Sequence, residues 1–475
     1  MRRILAASLL VACPLLASGA CLAAPAPSVF SEGLRTAASS LRDEAVRGTR
    51  AFEIVRSLTV EVGPRPAGSP GDRRAVEWGV RTMRELGFSN VRAEKVRVPH
   101  WDPGVATGAI TAPWPQPMVL LPLGGSVGTP EGGIEADVVA VSSLDELEKT
   151  DPAKIRGKIV FLNKRMERAR DGSGYGATVP GRGRGAVVAG KLGAAALLLR
   201  SVGTDNNRTP HTGAMRYEEG GARIPAAALS NPDADVLEAQ LASGKPVRFH
   251  LTLGSRALPD EESANVIGEI PGREKPEEIV LLGCHLDSWF PGTGAVDDGA
   301  GCAIMMEAAR RIGALPQKPR RTIRVVLFAN EEFGLSGARA YAEAHAAELP
   351  KHVMAGESDF GAGRVWRVSS KVAPDALPLV DAIAALLTPL GVTERGDNDA
   401  EGGADLIPMS PARVPVIALG QDGTYYFDWH HTANDTLDKI DPKEMDQNVA
   451  AWAAVAYAAA EMPGDFGRAP EGARE

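Results

Sequence analysis

Short clusters of acidic residues and histidines stand at the ends of apolar segments in the second half of the chain: His285 with Asp287, Asp297 with Asp298, Glu331 with Glu332, Asp359, and His430 with His431. Imidazoles mixed with carboxylates form a nitrogen and oxygen donor set that suits zinc, with cobalt or manganese as substitutes, and needs no thiolate. His285 and Asp287 are two apart on an extended segment, so both can face one way; one ligates and the other can hold the imidazole's second nitrogen. A relaxed backbone cannot aim both Asp297 and Asp298 at one metal, and Asp297 is the better candidate for a ligand shared between two. Adjacent Glu331 and Glu332 diverge at a strand end, so one carboxylate can bind metal while the other overhangs the water held there. Two like charges so close are costly unless cations offset them. Metal-bound water has a pKa of about 7, and a carboxylate beside it can take its proton and pass it to a leaving amine. That is the division of labour of amide hydrolysis. A single acidic pair at a strand end is more often a solvated edge or a helix cap. Here that reading would require all these residues to gather by chance at the ends of apolar strands.

Such ends need a sheet. After residue 256 apolar strands alternate with helical patterns: IVLLGCH (279–285), a helix with Ile304, Ala308 and Ile312 on one face, TIRVVLFAN (322–330), a helical stretch from Ala376 to Leu390, VPVIALG (414–420), and a last helix presenting Met445, Val449, Trp452 and Ala456. This alternation predicts an α/β fold with a mostly parallel mixed sheet, helices on both faces, and a site at the carboxyl edge of the strands. Upstream, Ser69-Pro70-Gly71-Asp72 predicts a helix start, Gly87 its close, and VRAEKVRV a half-buried strand. From 126 to 255 short strands and glycine-rich turns take over with no ligand-like cluster, which predicts an inserted β-rich domain. The catalytic domain is then 28–125 and 256–464, and 465–475 is expected to be a flexible tail.

With 475 residues, 44% apolar and 24% charged, the chain can bury a large core. Its net charge of -8 gives no electrostatic footprint for nucleic acid or an anionic membrane. Arg2 and Arg3 precede an apolar run from Ile4 to Leu16 and small residues through Ala24, the pattern of a cleavable signal peptide over 1–24. A membrane span needs about 20 uninterrupted apolar residues, whereas Pro14 breaks this run, and no later segment reads as transmembrane. A periplasmic or extracellular location is therefore expected, with lipid attachment at Cys13 as the alternative. Cys13 and Cys21 leave with the signal, so only Cys284 and Cys302 remain and the fold must rest on an apolar core, not on disulfides.

HLDSW, GAVDDGAG, NEEFG, ESDFG and HHTANDT resemble the M28 co-catalytic zinc peptidases in order, spacing and identity. The similarity extends to GPRPAGS (63–69), VRVPHW (96–101), LGGSVGTPEGGI (123–134), RSVG (200–203) and PHTG (210–213). The resemblance implies a zinc-exopeptidase fold, an inserted protease-associated (PA) domain over 126–255, and two Zn2+ per chain. It makes His285, Asp297 and Asp359 ligands of one metal and Asp297, Glu332 and His431 ligands of the other. Glu331 becomes the general base, Asp287 the partner of His285, and the Asp297-Asp298 peptide is expected to be cis. His431 is preferred to His430 because the family's ligand directly precedes Thr or Ser; Asp435 then orients His431, and His430 lines the substrate pocket. His211 either reaches substrate, in its own subunit or across a homodimer, or is an exposed loop histidine. The Gly402-Gly403-Ala404-Asp405 loop is expected to shape the pocket. The implied activity is that of a metallo-exopeptidase (carboxypeptidase, aminopeptidase or dipeptidase) that splits dipeptides or short peptides with a metal-bridging hydroxide. Two other readings stay open: a catalytically silent receptor module, which should have lost ligands, and a single-zinc acyltransferase of the glutaminyl cyclase kind, which two metals per chain would exclude.

Overall fold

The computed structural model describes residues 29–471; the expected signal peptide, the Cys13 lipid-attachment alternative and residues 472–475 lie outside the described residues. Two eight-stranded sheets organise the chain. The first has the order Ser89–Asp102, Arg256–Ile270, Arg321–Phe328, Lys275–His285, His352–Glu357, Val416–Gln421, Val365–Lys371, Glu394–Arg395. From Arg321–Phe328 to Val416–Gln421 the strands run parallel. Their neighbours Arg256–Ile270 and Val365–Lys371 run antiparallel, which gives the expected mixed sheet.

Helices cover both faces, and the strand sequences show why. In Lys275–His285, the alternate residues Val280, Leu282 and Cys284 pack into a core shared with the helices Glu32–Ala45, Ala300–Gly313 and Pro442–Glu461. Ile279 and Leu281 point the other way, into a second core with Tyr341 and Met409. A strand buried on both faces reads as a continuous apolar run, as this one does. The helix Pro70–Glu85 starts as expected, with the Ser69 hydroxyl accepting from the amides of Gly71 and Asp72 and Pro70 in the first turn. Because the central strands are parallel, their carboxyl ends share one edge. His285 ends one strand, Glu331 and Glu332 follow Phe328, Asp359 follows Glu357, and the His430-His431 pair lies beyond Gln421.

The second sheet has the order Gln116–Met118, Ala106–Ala112, Arg248–Leu253, Ile134–Val141, Ile159–Leu162, Ala196–Arg200, Ala226–Leu229, Leu120–Pro122. It begins at Ala106, not at 126. Ala106–Ala112 pairs antiparallel with Arg248–Leu253, and Leu120–Pro122 with Ala226–Leu229, so the end of the segment expected to be catalytic belongs to the inserted sheet. The tail also departs from expectation, because its described part is packed. Phe466 is fully buried, its carbonyl accepts from the Ala373 amide, and Arg413 and Ala469 exchange two hydrogen bonds. Among the described residues no helix is long and apolar enough to cross a membrane. Cys284 and Cys302 are buried free thiols.

Candidate metal centre

Asp297 stands in the middle of the carboxyl edge, and its peptide bond to Asp298 is cis. The two neighbouring carboxylates diverge. Asp298 turns into the protein, accepting from the amides of His285 (3.2 Å) and Gly301 (3.0 Å). A Cβ on Gly301 would collide with the Ser358 carbonyl and the Asp298 carboxylate, so glycine alone lets the following helix start this close. Asp297 faces the site with both oxygens. Its Oδ1 is 3.0 Å from His285 Nε2, which lies 3.3 Å from Asp359 Oδ1. Its Oδ2 is 3.3 Å from His431 Nε2, which lies 2.9 Å from Glu332 Oε2. His430 stacks on His431 with ring centroids 3.5 Å apart, and its Nε2 is 3.7 Å from Asp297 Oδ2. Donor atoms of His285, Asp297 and Asp359 fall within 4.8 Å of one another, as do those of Asp297, His430 and His431.

Each ligand-type imidazole meets a backbone carbonyl with its other nitrogen. His285 Nδ1 is 3.2 Å from the Asp287 carbonyl and His431 Nδ1 is 3.3 Å from the Thr212 carbonyl. A carbonyl only accepts, so at His285 Nδ1 carries hydrogen and Nε2 is the atom left for a metal. The Asp287 carboxylate lies 3.6 Å from His285 Nδ1 and accepts from the Glu331 amide at 3.0 Å, linking the two segments. Burial, with Asp359 and Glu332 nearby, pushes the Glu331 carboxyl well above the usual range. Burial, with Asp297 nearby, does the same to Glu332. At Asp297 burial acts in the same direction, yet the adjoining imidazoles of His285 and His431 hold that carboxyl well below it. Glu332 Oε1, Asp287 Oδ2 and His430 Nδ1 have no hydrogen-bond partner. Buried acids with orphaned atoms require compensating cations, and this nitrogen and oxygen set fits divalent metals.

Residues 265–456 match the model of peptidase family M28. Carboxypeptidase Q of Mus musculus is 38% identical over 413 residues, which span 87% of this chain and 86% of that protein. The chain belongs to peptidase family M28. It is a metallopeptidase. The crystal structure of a peptidase M28 precursor from Shewanella amazonensis superposes with a TM-score of 0.91 at 48% identity, covering 92% of this chain and 99% of that one. BSAP, a zinc aminopeptidase from Bacillus subtilis, shares the fold with a TM-score of 0.62 at 21% identity, covering 87% of this chain and 94% of that one.

Several residues of this M28 peptidase stand elsewhere than the sequence suggested. His211 is 1% exposed, with Nε2 2.6 Å from Asp205 Oδ2 and Nδ1 2.7 Å from the His430 carbonyl. It is therefore neither an exposed loop histidine nor free to reach substrate: the backbone bonds Thr204 N to Phe427 O (3.0 Å) and Thr212 N to His431 O (3.1 Å) sew its segment to the histidine loop. Asp435 does not orient His431. It accepts from the amides of Val296 (2.6 Å) and Asp297 (3.3 Å), and burial together with Asp297 pushes its carboxyl up to about 7. His430 is packed among Tyr175, Tyr426 and Phe427, with 6% exposure, so it does not line an open pocket. Asp405 is fully buried behind Glu357, whose Oε2 accepts from its amide at 3.1 Å.

Other supporting residues carried no signal beyond membership of a matching motif. Arg65, fully buried, donates to the carbonyls of Leu286, Thr293 and Gly294 and so braces the loop that delivers Asp297. Trp289 Nε1 donates to Glu332 Oε2 at 2.6 Å. A Cβ on Gly124 would collide with the Trp289 ring, so that glycine lets the inserted sheet rest on it.

Proposed function

We propose that this M28 metallopeptidase is an exported di-zinc exopeptidase acting on dipeptides or short peptides. The observation that carries the reading is the two-sided Asp297 carboxylate, 3.0 Å from His285 Nε2 through Oδ1 and 3.3 Å from His431 Nε2 through Oδ2. His285, Asp297 and Asp359 would hold one metal and Asp297, Glu332 and His431 the other. His431 is favoured over His430 because its Nε2 is nearer to Asp297 and also lies 2.9 Å from Glu332. Zinc is named for the BSAP aminopeptidase, and export rests on the basic and apolar pattern of residues 2–24. The inserted sheet, which reaches the centre through His211 and Thr212, is read as the protease-associated module.

When bound, such a metal pair polarises the scissile carbonyl and lowers the pKa of water. Glu331 takes the proton of the attacking water and delivers it to the leaving nitrogen as the C–N bond breaks. Asp287 holds the His285 ring and the Glu331 amide together, keeping ligand and base in register. The names of the relatives divide between carboxypeptidase and aminopeptidase, and a free dipeptide satisfies both descriptions. The test combines metal analysis with dipeptide hydrolysis. Wild type should carry two zinc ions per chain, and Glu331→Gln should keep both while losing about 100-fold or more in turnover. One zinc per fully active chain would remove the two-metal reading, and a fully active Glu331→Gln variant would remove Glu331 from the mechanism.

A further inference from the structure

Beside Asp359 the sheet edge opens into a cleft of about 560 Å³. The acids lining it are Asp171, Glu357, Asp359, Glu394, Asp397 and Glu401. Among the described lining residues Arg367 alone is basic, and its guanidinium lies 3.9 Å from Glu394 and 4.9 Å over the Trp366 ring, which also carries the Arg170 guanidinium, itself paired with Asp422, at 4.3 Å. At the floor, Glu357 is 6% exposed and its Oε1 has no hydrogen-bond partner, while Oε2 accepts from the Asp405 amide. Behind it both carboxylate oxygens of Asp405 are also unpartnered. Buried carboxylates lacking donors are costly, and amide hydrolysis at the metal centre uses neither residue. A Cβ on Gly403 would collide with the Glu357 carboxylate, so only glycine lets the Gly402-Gly403 lip pass this close to that group.

We infer that this cleft is a specificity subsite for a basic side chain of the peptide, with the alkyl stem along Phe360 and the ammonium or guanidinium against Glu357. The inference rests on the exopeptidase reading. The exposed rim acids Glu394, Asp397 and Glu401 draw a cation inward. At the floor that cation supplies the donors Glu357 lacks and offsets the paired buried acids. The same wall repels a substrate carboxylate. A long basic side chain suits the site because its stem is apolar and only its tip is charged.

The full zinc-loaded enzyme should be assayed on Lys-Ala, Ala-Lys and their norleucine counterparts, each also N-acetylated to separate the side-chain ammonium from the α-ammonium. In one of the two positions the lysine peptide should exceed its norleucine analogue about tenfold in kcat/KM at low salt, and the advantage should shrink as salt rises. Glu357→Gln and the rim double variant Glu394→Gln/Asp397→Asn should each cut that ratio by about threefold or more. Equal rates on lysine and norleucine peptides, or a ratio untouched by the rim variant, would overturn the subsite. So would a preference that follows only the free α-amine. If no peptide is cleaved, the exopeptidase reading fails separately. The subsite is then decided by calorimetric binding of lysine amide against norleucine amide: tighter lysine amide binding supports it and equal binding overturns it.

Discussion

Replacing His211 by phenylalanine measures how firmly the inserted sheet holds the metal centre. Phenylalanine keeps the ring and removes both nitrogens, so the 2.7 Å bond to the His430 carbonyl and the 2.6 Å bond to Asp205 are lost together. Asp205 is 5% exposed and would keep only the Asn207 amide, at 2.6 Å. Leaving a buried carboxylate without its hydrogen-bond partner costs about 3 kcal/mol, and an orphaned carbonyl adds about 1. A loss of about 4 kcal/mol is therefore expected, most of it from the stranded carboxylate. Adding Asp205→Asn removes that charge and should return about 2 kcal/mol, whereas loss of the carbonyl bond alone predicts no recovery. The His430-His431 backbone would keep its tethers through Thr204 and Thr212 but lose the one through His211. A displacement of about 1 Å at such a ligand lowers the rate about 100-fold. Urea unfolding followed by tryptophan fluorescence, zinc affinity against a chromophoric chelator, and kcat on a dipeptide give the three readouts. A His211→Phe protein within about 1 kcal/mol of wild type, with unchanged zinc affinity and turnover, would refute the reasoning.

Arg65→Met strands the carbonyls of Leu286, Thr293 and Gly294. Thermal unfolding should show a loss of about 3 kcal/mol or more together with lowered zinc content, and an unchanged melting profile would contradict the bracing role. Trp289→Phe removes the donor to Glu332 Oε2 and should weaken one of the two proposed zinc sites about 10- to 100-fold in a chelator titration; equal weakening of both sites would count against it. His352 is buried, which lowers its pKa to about 4. The unfolded chain, with a histidine pKa near 6.5, binds that proton first, so the contribution to stability is complete above about 6.5 and is lost as pH falls toward 4. The loss amounts to about 2 kcal/mol between pH 7 and pH 5, and His352→Asn should flatten the unfolding free energy over that window by this amount. Parallel curves for the two proteins would exclude it.

The catalytic sheet was legible because its central strands are buried on both faces and so leave continuous apolar runs such as IVLLGCH and TIRVVLF. The ligand-type residues were legible because they stand just past those runs. Leu120–Pro122 was not, since three residues carry no period, and Ala106–Ala112 reveals its sheet only by pairing with Arg248–Leu253. Phe466 is one aromatic in a stretch rich in Gly, Asp and Pro, and its composition says nothing of the core that receives it. The supporting contacts were hidden by distance along the chain: 219 residues separate His211 from His430, and 221 separate Arg65 from Leu286. Asp435 misled for the opposite reason. Nearness in sequence suggested His431, whereas the fold carries its carboxylate across to the amides of Val296 and Asp297.

The chain leaves the catalytic sheet and returns to it through adjacent antiparallel strands, with Asp102 opposite Arg256 and a 2.9 Å ion pair between them. By connectivity alone the inserted sheet hangs from a hairpin, and a short turn could replace it without removing a strand from the catalytic sheet. Side chains and carbonyls bind the two parts more closely than the connectivity does: the Thr212 carbonyl meets His431 Nδ1, and the Arg182 guanidinium lies 3.4 Å from the same nitrogen. A chain trimmed at that hairpin would keep its scaffold and surrender the fixed orientation of one proposed ligand. An engineer, or evolution, could excise this appendage in topology but not in chemistry, because part of the active site's wall is written in the piece that would be cut away.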